Sequence, residues 1–429
     1  MGHYKLSVFN VRFTRDNKNY LWNTFSNALI RLDQSAIQFI DNFSGEETDH
    51  PYFKVLFQNG CIVTDCLDEF GKILYDEKAI TFNRYPKRLN YTIAPGLSCN
   101  YHCEYCFENH RTSFEKMSLE VEESLFQFFC RQIKNNSNLD EICITWFGGE
   151  PLLYVDIIDR ISKRLVSHCR EHGIKYHAGM ISNGRFLTKE NVQILRDNQI
   201  DHIQISLDGM PEHYAKIKNA SVDDFYQTVN NIVYACDYMH IAVRINILDS
   251  LTDAVNLTDY LLKVRNLDGK IKVYVAHTRL YDDNLSVKEE HKSHQLFLKN
   301  EGNFIQLFGK AGIYNKNSFE YRKPQRRGTT CLSVCHHNAC IGPNGEIYRC
   351  EHHFGMKDAI VGNIYNGLFF QANDLAFFSF QHRKKCLRCK FFPVCLGGCL
   401  DDAINQRDII DCRHYCERLI DLKMFEIEH

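Results

Sequence analysis

Three cysteines lie close together in the segment CNYHCEYCFENH, residues 99–110. Cys99, Cys103 and Cys106 are separated by three and then by two residues. A structural zinc site needs four ligands, usually supplied as two pairs, whereas this segment offers three thiolates. Thiolates are also the ligands of iron–sulfur clusters, and a [4Fe–4S] cube needs one ligand for each iron. The segment therefore suits such a cube with one iron left open to another molecule.

The composition favours metal-bound, reduced thiolates. The 429 residues include 19 cysteines, an odd number in a chain far longer than most disulfide-stapled secreted domains. The N-terminus has no apolar signal segment, so we expect a cytoplasmic protein that uses cysteines to hold metal. A formal net charge of −2 gives no reason to expect a nucleic-acid partner, and no apolar run is long enough to span a membrane.

Repeated strand–helix units must position this loop. Between Tyr91 and Ala276, six short apolar segments alternate with amphipathic helical segments: YTIAP, EICITWFGG, YHAGMISNG, HIQISLDG, IAVRINIL and IKVYVAH. This pattern predicts an α/β fold with a parallel sheet, arranged as a partial (β/α)6 TIM-like barrel. The polar turns GGEP, SNG and SLDG fall at the carboxyl ends of their strands, where such barrels carry their sites.

Two further regions flank the barrel. In residues 1–85, strand-like stretches alternate with helical stretches. This pattern predicts a small winged-helix-like module. The C-terminal region contains CLRCKFFPVCLGGC, a CxxCx₅Cx₃C pattern, and CHHNACIGPNGEIYRC, whose Pro-Asn-Gly predicts a hairpin that presents Cys350 at a strand end. With so little apolar core, this region is expected to need metal for its stability. The predicted domains are 1–85, 86–300 and 301–429.

The CxxxCxxC motif resembles that of the radical S-adenosylmethionine (SAM) superfamily. The resemblance implies that SAM chelates the open iron and is cleaved reductively to a 5′-deoxyadenosyl radical. It also implies that Tyr105 is the aromatic residue often found before the last cysteine. A CxxxCxxC motif alone is also compatible with zinc or with chance, but three further motifs follow it in the family's order.

Those motifs resemble SAM-contacting turns. GGE is similar to the turn for the SAM amino group, and ISNG and ISLDG are similar to turns of the sulfatase-maturase-like branch. The resemblance thus implies SAM contacts from Gly148, Gly149, Glu150, Ser182, Asn183, Ser206 and Asp208. Each turn alone is equally typical of an ordinary βα connection. One departure is Lys218, which stands where that branch usually carries an arginine facing the SAM carboxylate; Arg244 is the other basic candidate.

The C-terminal cysteines resemble the SPASM extension of peptide-modifying radical SAM enzymes. That resemblance implies two auxiliary [4Fe–4S] clusters, hence three clusters and SAM as cofactors. One cluster takes Cys335, Cys350 and Cys399 with Cys331 as the fourth ligand; the alternatives are Cys340 or an iron left open for substrate. The other takes Cys386, Cys389 and Cys395 with Cys412 or Cys416. Glu351 occupies the place of a carboxylate thought to act as a base in the sulfatase maturases. A zinc ribbon is the alternative for this region.

The N-terminal module resembles the precursor-recognition element of ribosomal-peptide (RiPP) maturases, which binds a leader peptide as an added strand. A plain structural cap on the barrel is the alternative. The leading hypothesis is a maturase that installs a cross-link in a precursor peptide, as a cysteine thioether or as a C–C or C–O link, with electrons from a flavodoxin or ferredoxin. The alternatives are formylglycine formation on a sulfatase and a zinc-stabilised adaptor without catalytic activity.

Overall fold

The computed structural model describes residues 3–108, 115–247, 251–278, 287–310, 312–405 and 412–428. Internal contacts divide the chain into two compact units. The first consists of Met1–Asn83, Lys323–His336 and Phe378–Asn405, and the second of Arg84–Arg322, His337–Phe377 and Gln406–His429.

The strands are β1 Tyr4–Leu6, β2 Asn10–Arg15, β3 Lys18–Asn23, β4 Leu29–Leu32, β5 Ile62–Thr64, β6 Arg88–Ile93, β7 Glu141–Trp146, β8 Lys175–Ser182, β9 Ile200–Ser206, β10 His240–Ile247, β11 Lys272–His277, β12 Ala339–Ile341, β13 Glu346–Tyr348, β14 Gly362–Asn363 and β15 Gly367–Leu368.

The helices are α1 Gln34–Asp41, α2 Pro51–Gln58, α3 Glu69–Thr81, α4 Leu119–Asn135, α5 Val155–Glu171, α6 Lys189–Asp197, α7 Pro211–Lys218, α8 Val222–Ala235, α9 Leu251–Asp259, α10 Val287–Gly309, α11 Ala372–Phe378, α12 Phe392–Cys395, α13 Leu400–Ile404 and α14 Cys412–Glu428. In the part of the chain that the structure describes, no helix combines the length and apolar character needed to cross a membrane.

The second unit is built on a sheet in the order β11-β10-β9-β8-β7-β6. These six strands pair in parallel and correspond to the six predicted segments. One face of each strand is apolar and packs on the helices, as Tyr91 does against Phe128 and Phe129 of α4. Beyond β6 the sheet continues through parallel β12 and then antiparallel β13, β14 and β15. The mixed α/β fold with a large parallel sheet is therefore confirmed.

Polar side chains define where the outer helices begin. Ser118 and Thr188 cap α4 and α6 by accepting hydrogen bonds from backbone N–H groups. Ser221 and Asp224 form a reciprocal capping box at the start of α8, which satisfies two otherwise unpaired donors. Because α4 and α6 follow loops from the ends of β6 and β8, their caps help to fix the loops on that side of the sheet, whereas the capping box of α8 fixes the turn from α7.

The first unit combines the N-terminal module with a cysteine-rich loop. Strands β2, β3 and β4 form an antiparallel sheet, and β1 pairs with β5. Phe9 and Ile73 from the module share a buried cluster with Phe392 and Leu396 from the loop. The Thr24 hydroxyl also donates to the Lys390 carbonyl at 2.5 Å. The N-terminal module and the segment around α12 are thus one packed body.

Candidate functional site

The three-cysteine loop follows β6 and is fixed by the end of α7. The backbone N–H groups of His102 and Glu104 donate to the carbonyls of Lys218 and Ile217, at 3.4 and 3.2 Å. Within the loop, the Cys106 N–H donates to the Cys103 carbonyl at 3.0 Å. The backbone that carries the thiols therefore has defined partners on a neighbouring βα unit.

The thiols of this loop lie in a poorly solvated place. Burial, with contributions from Glu150, Cys103 and Cys106, raises the pKa of the Cys99 thiol to about 12. Burial also raises the pKa of Cys103, while the nearby Lys218 ammonium opposes the rise. Deprotonating Cys99 and Cys103 here requires a strong cationic partner. A donor set of three clustered thiols in such a place fits an iron–sulfur cluster.

The GGE turn braces the segment that leads into Cys99. Gly148 has φ +109, and a Cβ there would lie 2.4 Å from the Gly96 carbonyl oxygen. A Cβ on Gly149 would lie 2.2 Å from the Ser98 carbonyl oxygen, to which the Glu150 N–H donates at 2.9 Å. The two glycines are therefore needed for close backbone approach.

The Glu150 side chain joins two strand ends. Its carboxylate accepts hydrogen bonds from the Ser182 hydroxyl at 2.7 Å and from the Asn183 N–H at 2.8 Å. It also accepts from the Leu152 N–H at 2.9 Å. Burial raises the pKa of Glu150, against the lowering effect of these hydrogen bonds. Asn183 in turn donates to the Asn100 side chain at 2.8 Å, so the GGE and SNG turns and the cysteine loop form one network.

A second network surrounds Asp208, after β9. The Lys218 ammonium lies 2.9 Å from the Asp208 carboxylate and donates to the Ser206 hydroxyl at 3.2 Å. The Tyr105 hydroxyl donates to Asp208, and the Asn246 amide donates to it at 2.7 Å. These contacts connect the cysteine loop to the ends of β9 and β10.

The Asp208–Lys218 ion pair is buried: the exposed fractions of the two side chains are 0% and 1%. Burial opposes the charged ammonium, but the Asp208 carboxylate outweighs it, and the pKa of Lys218 lies well above its ordinary value. The ammonium of Lys218 is therefore charged at neutral pH.

One basic residue and one amide residue of β10 complete this network. Arg244 donates to the Asn246 side chain at 3.0 Å. Asn246 was missed by sequence reasoning, although its signal was available: it is an amide on the same strand face as Arg244, close to the carboxyl end of a parallel strand.

Comparison with known families decides the identity of this sheet and loop. Residues 93–258 match the model of the Radical SAM superfamily. The chain has a radical SAM domain. The prediction of a radical SAM enzyme is thereby confirmed, since members of this superfamily use SAM for radical chemistry.

Relatives extend the similarity beyond the radical SAM domain. The radical SAM cyclopropyl synthase TigE of Paramaledivibacter caminithermalis is 23% identical over 422 residues, covering 86% of this chain and 88% of TigE. A cysteine-type anaerobic sulfatase-maturating enzyme of Clostridium perfringens is 24% identical over 364 residues, covering 77% of this chain and 94% of that enzyme.

Solved structures share the fold. The anSMEcpe structure with bound AdoMet has a TM-score of 0.61 at 19% identity, and the match covers 79% of this chain and 97% of that one. Streptococcus suis SuiB, bound to its precursor peptide SuiA, has a TM-score of 0.52 at 15% identity, with 93% and 96% covered.

The turn after Cys350 contacts the radical SAM domain. The predicted Pro-Asn-Gly hairpin is present as β12 and β13, and Cys350 follows it. The His352 ring lies 4.5 Å from the Phe107 ring, which comes directly after Cys106. Glu351, between Cys350 and His352, is exposed.

The other cysteines predicted as ligands of the auxiliary clusters, apart from Cys350, fall in both compact units. Cys331, Cys335, Cys386, Cys389, Cys395 and Cys399 belong to the first unit, and Cys340, Cys412 and Cys416 belong to the second. Burial, together with the neighbouring Cys386 and Cys389 sulfurs, raises the pKa of the Cys395 thiol to about 11. Cys386, Cys389 and Cys395 are therefore a second group of neighbouring, partly buried thiols that suits a metal cluster.

Proposed function

We propose that this protein is a radical SAM peptide maturase that installs an intramolecular cross-link in a ribosomally made precursor peptide. The link we favour is a thioether from a cysteine of the peptide, with a C–C or C–O link between side chains as the variant. The observation that carries the proposal is an open sheet edge in the N-terminal module, in a chain that also has a radical SAM domain.

The residues of the radical SAM domain have separate roles in this proposal. Cys99, Cys103 and Cys106 would hold the cluster, which would give one electron to bound SAM and so cleave it to methionine and a 5′-deoxyadenosyl radical. Glu150 orients the strand ends on one side of the loop, and the Asp208–Lys218 pair does so on the other. Glu351 is the proposed base that takes a proton from the peptide.

The cofactors and setting of the reaction are also part of the proposal. We assign three [4Fe–4S] clusters, two of them auxiliary, with a flavodoxin or ferredoxin as electron donor in the cytoplasm. For one auxiliary cluster the SPASM resemblance implies Cys335, Cys350 and Cys399, and for the other it implies Cys386, Cys389 and Cys395.

The open edge is that of β4. Within the described residues, β4 pairs with β3 and with no other strand. The Asn23 N–H donates to the Ala28 carbonyl at 2.9 Å, and the alternation of an antiparallel ladder then directs the backbone groups of Leu29 and Arg31 outward. A peptide strand can add at this edge beside α1, which is the β-augmentation mode of recognition.

Arg31→Pro should abolish leader-peptide binding while Arg31→Ala retains it. Proline removes the outward N–H of an exposed edge residue without removing a bond to β3. The measurement is fluorescence anisotropy with a labelled leader segment of a candidate precursor, taken from any short open reading frame that flanks this gene. Equal affinities for the two variants, at equal thermal midpoints, would show that the peptide does not bind as a strand here.

Reconstituted enzyme, SAM, reductant and the full precursor should give a product that has lost a pair of hydrogen atoms for each link. Mass spectrometry detects the loss, and alkylation of free thiols distinguishes a thioether from links that spare cysteine. SAM cleavage without any change in peptide mass would argue against a maturase of that peptide.

Formylglycine formation is the second candidate, supported by the sulfatase-maturating relatives. It predicts that a peptide with a sulfatase-type cysteine or serine site is converted to an aldehyde, which hydrazide reagents capture. It also predicts that Arg31→Pro leaves this conversion unchanged, because no leader strand is needed.

A further inference from the structure

A buried carboxylate–histidine pair lies behind the second group of thiols. His382 Nε2 is 2.6 Å from a Glu77 carboxylate oxygen, and the exposed fractions of the two side chains are 5% and 7%. The other Glu77 oxygen accepts from the N–H and the hydroxyl of Thr330, at 3.1 and 2.5 Å. A ring nitrogen and a carboxylate oxygen this close share a proton, and with Nε2 donating it to Glu77, Nδ1 is the ring nitrogen left for a metal.

The other ring nitrogen of His382 has no partner. Nδ1 is fully buried and makes no hydrogen bond within the described residues. The Phe380 and Phe392 rings stand edge-on to the imidazole, at 5.4 and 4.9 Å between centroids, which fixes its orientation. A buried ring nitrogen without a partner is costly, and imidazole nitrogens are common metal ligands.

A glycine keeps open the space that Nδ1 faces. A Cβ on Gly397 would lie 3.3 Å from His382 Nδ1 and 3.7 Å from the Cys386 sulfur. The nitrogen and the sulfur therefore border the same small cradle. The other two thiols of this group belong to the same turn: the Cys389 N–H donates to the Cys386 carbonyl at 3.0 Å, and the Gly398 N–H donates to the Cys395 carbonyl at 3.3 Å.

We propose that His382 Nδ1 is the fourth iron ligand beside Cys386, Cys389 and Cys395, in place of Cys412 or Cys416. A metal-bound histidine commonly donates its other N–H to a carboxylate, which fixes the tautomer and orients the ring, and Glu77 has that position here. The inference rests on the proposed auxiliary cluster at these three cysteines. Since Glu77 belongs to α3 of the N-terminal module, the module would hold this cluster ligand in place through a side-chain hydrogen bond.

Pulsed electron paramagnetic resonance of the reduced protein tests the ligand directly. The protein used is the variant Cys99→Ala, Cys103→Ala and Cys106→Ala, measured without SAM, so that only the auxiliary clusters remain. It should contain about eight irons per chain. Histidine labelled with ¹⁵N should give a strong nitrogen coupling that disappears in His382→Ala. The double variant Cys412→Ala and Cys416→Ala should retain both the coupling and the iron.

Two variants keep the test valid if His382→Ala does not fold. His382→Cys should retain the iron, lose the nitrogen coupling and lower the reduction potential, because a thiolate replaces a neutral imidazole. Gly397→Ala should weaken the coupling by filling the cradle. The inference about His382 would be overturned if the clusters showed no histidine coupling and if iron were lost when Cys412 and Cys416 are replaced. The proposed auxiliary cluster would survive that result. Iron that does not depend on Cys386, Cys389 and Cys395 would overturn the auxiliary cluster itself.

Discussion

Lys218→Met should destabilise the radical SAM domain by about 3–5 kcal/mol, the typical cost of leaving a buried charge unpaired. Lys218 lies 2.9 Å from Asp208 with both side chains buried, and methionine fills the same space without a charge. Asp208 would keep its hydrogen bonds from Tyr105 and Asn246 but lose its counter-charge. The thermal midpoint of unfolding, followed by circular dichroism under anaerobic conditions, measures the loss.

Two controls separate charge pairing from packing. Lys218→Met with Asp208→Asn should recover most of the lost stability, because the remaining buried groups are neutral and hydrogen-bonded. Lys163→Met removes an exposed ion pair with Asp159, at 2.7 Å, and should change stability by about 0–1 kcal/mol. If the double variant were no more stable than Lys218→Met, the lysine would be needed for its packing and not for its charge.

Local sequence patterns were sufficient to predict the radical SAM domain. Strand segments such as ITWF and IQIS have an apolar period that defines one buried face, and each ends in a polar turn. Since parallel strands place their carboxyl ends together, residues such as Glu150 and Ser182 could be predicted to converge. Their mutual hydrogen bond needed the structure, because a turn motif does not say which way each side chain points.

The set of chain segments that pack together in the first compact unit could not be predicted in the same way. Trp22 packs on Phe391 at 5.9 Å between ring centroids, and Glu77 meets His382, although hundreds of residues separate the partners in the chain. No local period or spacing encodes such pairs. They matter for experiments, because deleting residues 1–85 would remove Glu77 and Trp22 from a packed body as well as the proposed leader-binding edge.

Gly148→Ala should abolish iron binding at the three-cysteine loop, a loss of about four irons per chain. The added Cβ would lie 2.4 Å from the Gly96 carbonyl oxygen, a backbone atom that cannot rotate away, so the segment before Cys99 must move. Iron and sulfide analysis after anaerobic reconstitution measures the loss, and 5′-deoxyadenosine formation from SAM should be lost with it.

Gly173→Ala is the matched control for this substitution. Gly173 also has a positive φ, +69, but a Cβ there would meet no atom within 4 Å. Both variants therefore carry the strain of alanine in a left-handed conformation, and only one meets the cysteine loop. Equal iron contents in the two would mean that the loop tolerates displacement. A loss confined to Gly148→Ala would establish that the GGE turn sets the position of Cys99 by direct backbone contact, apart from any contact it makes with SAM.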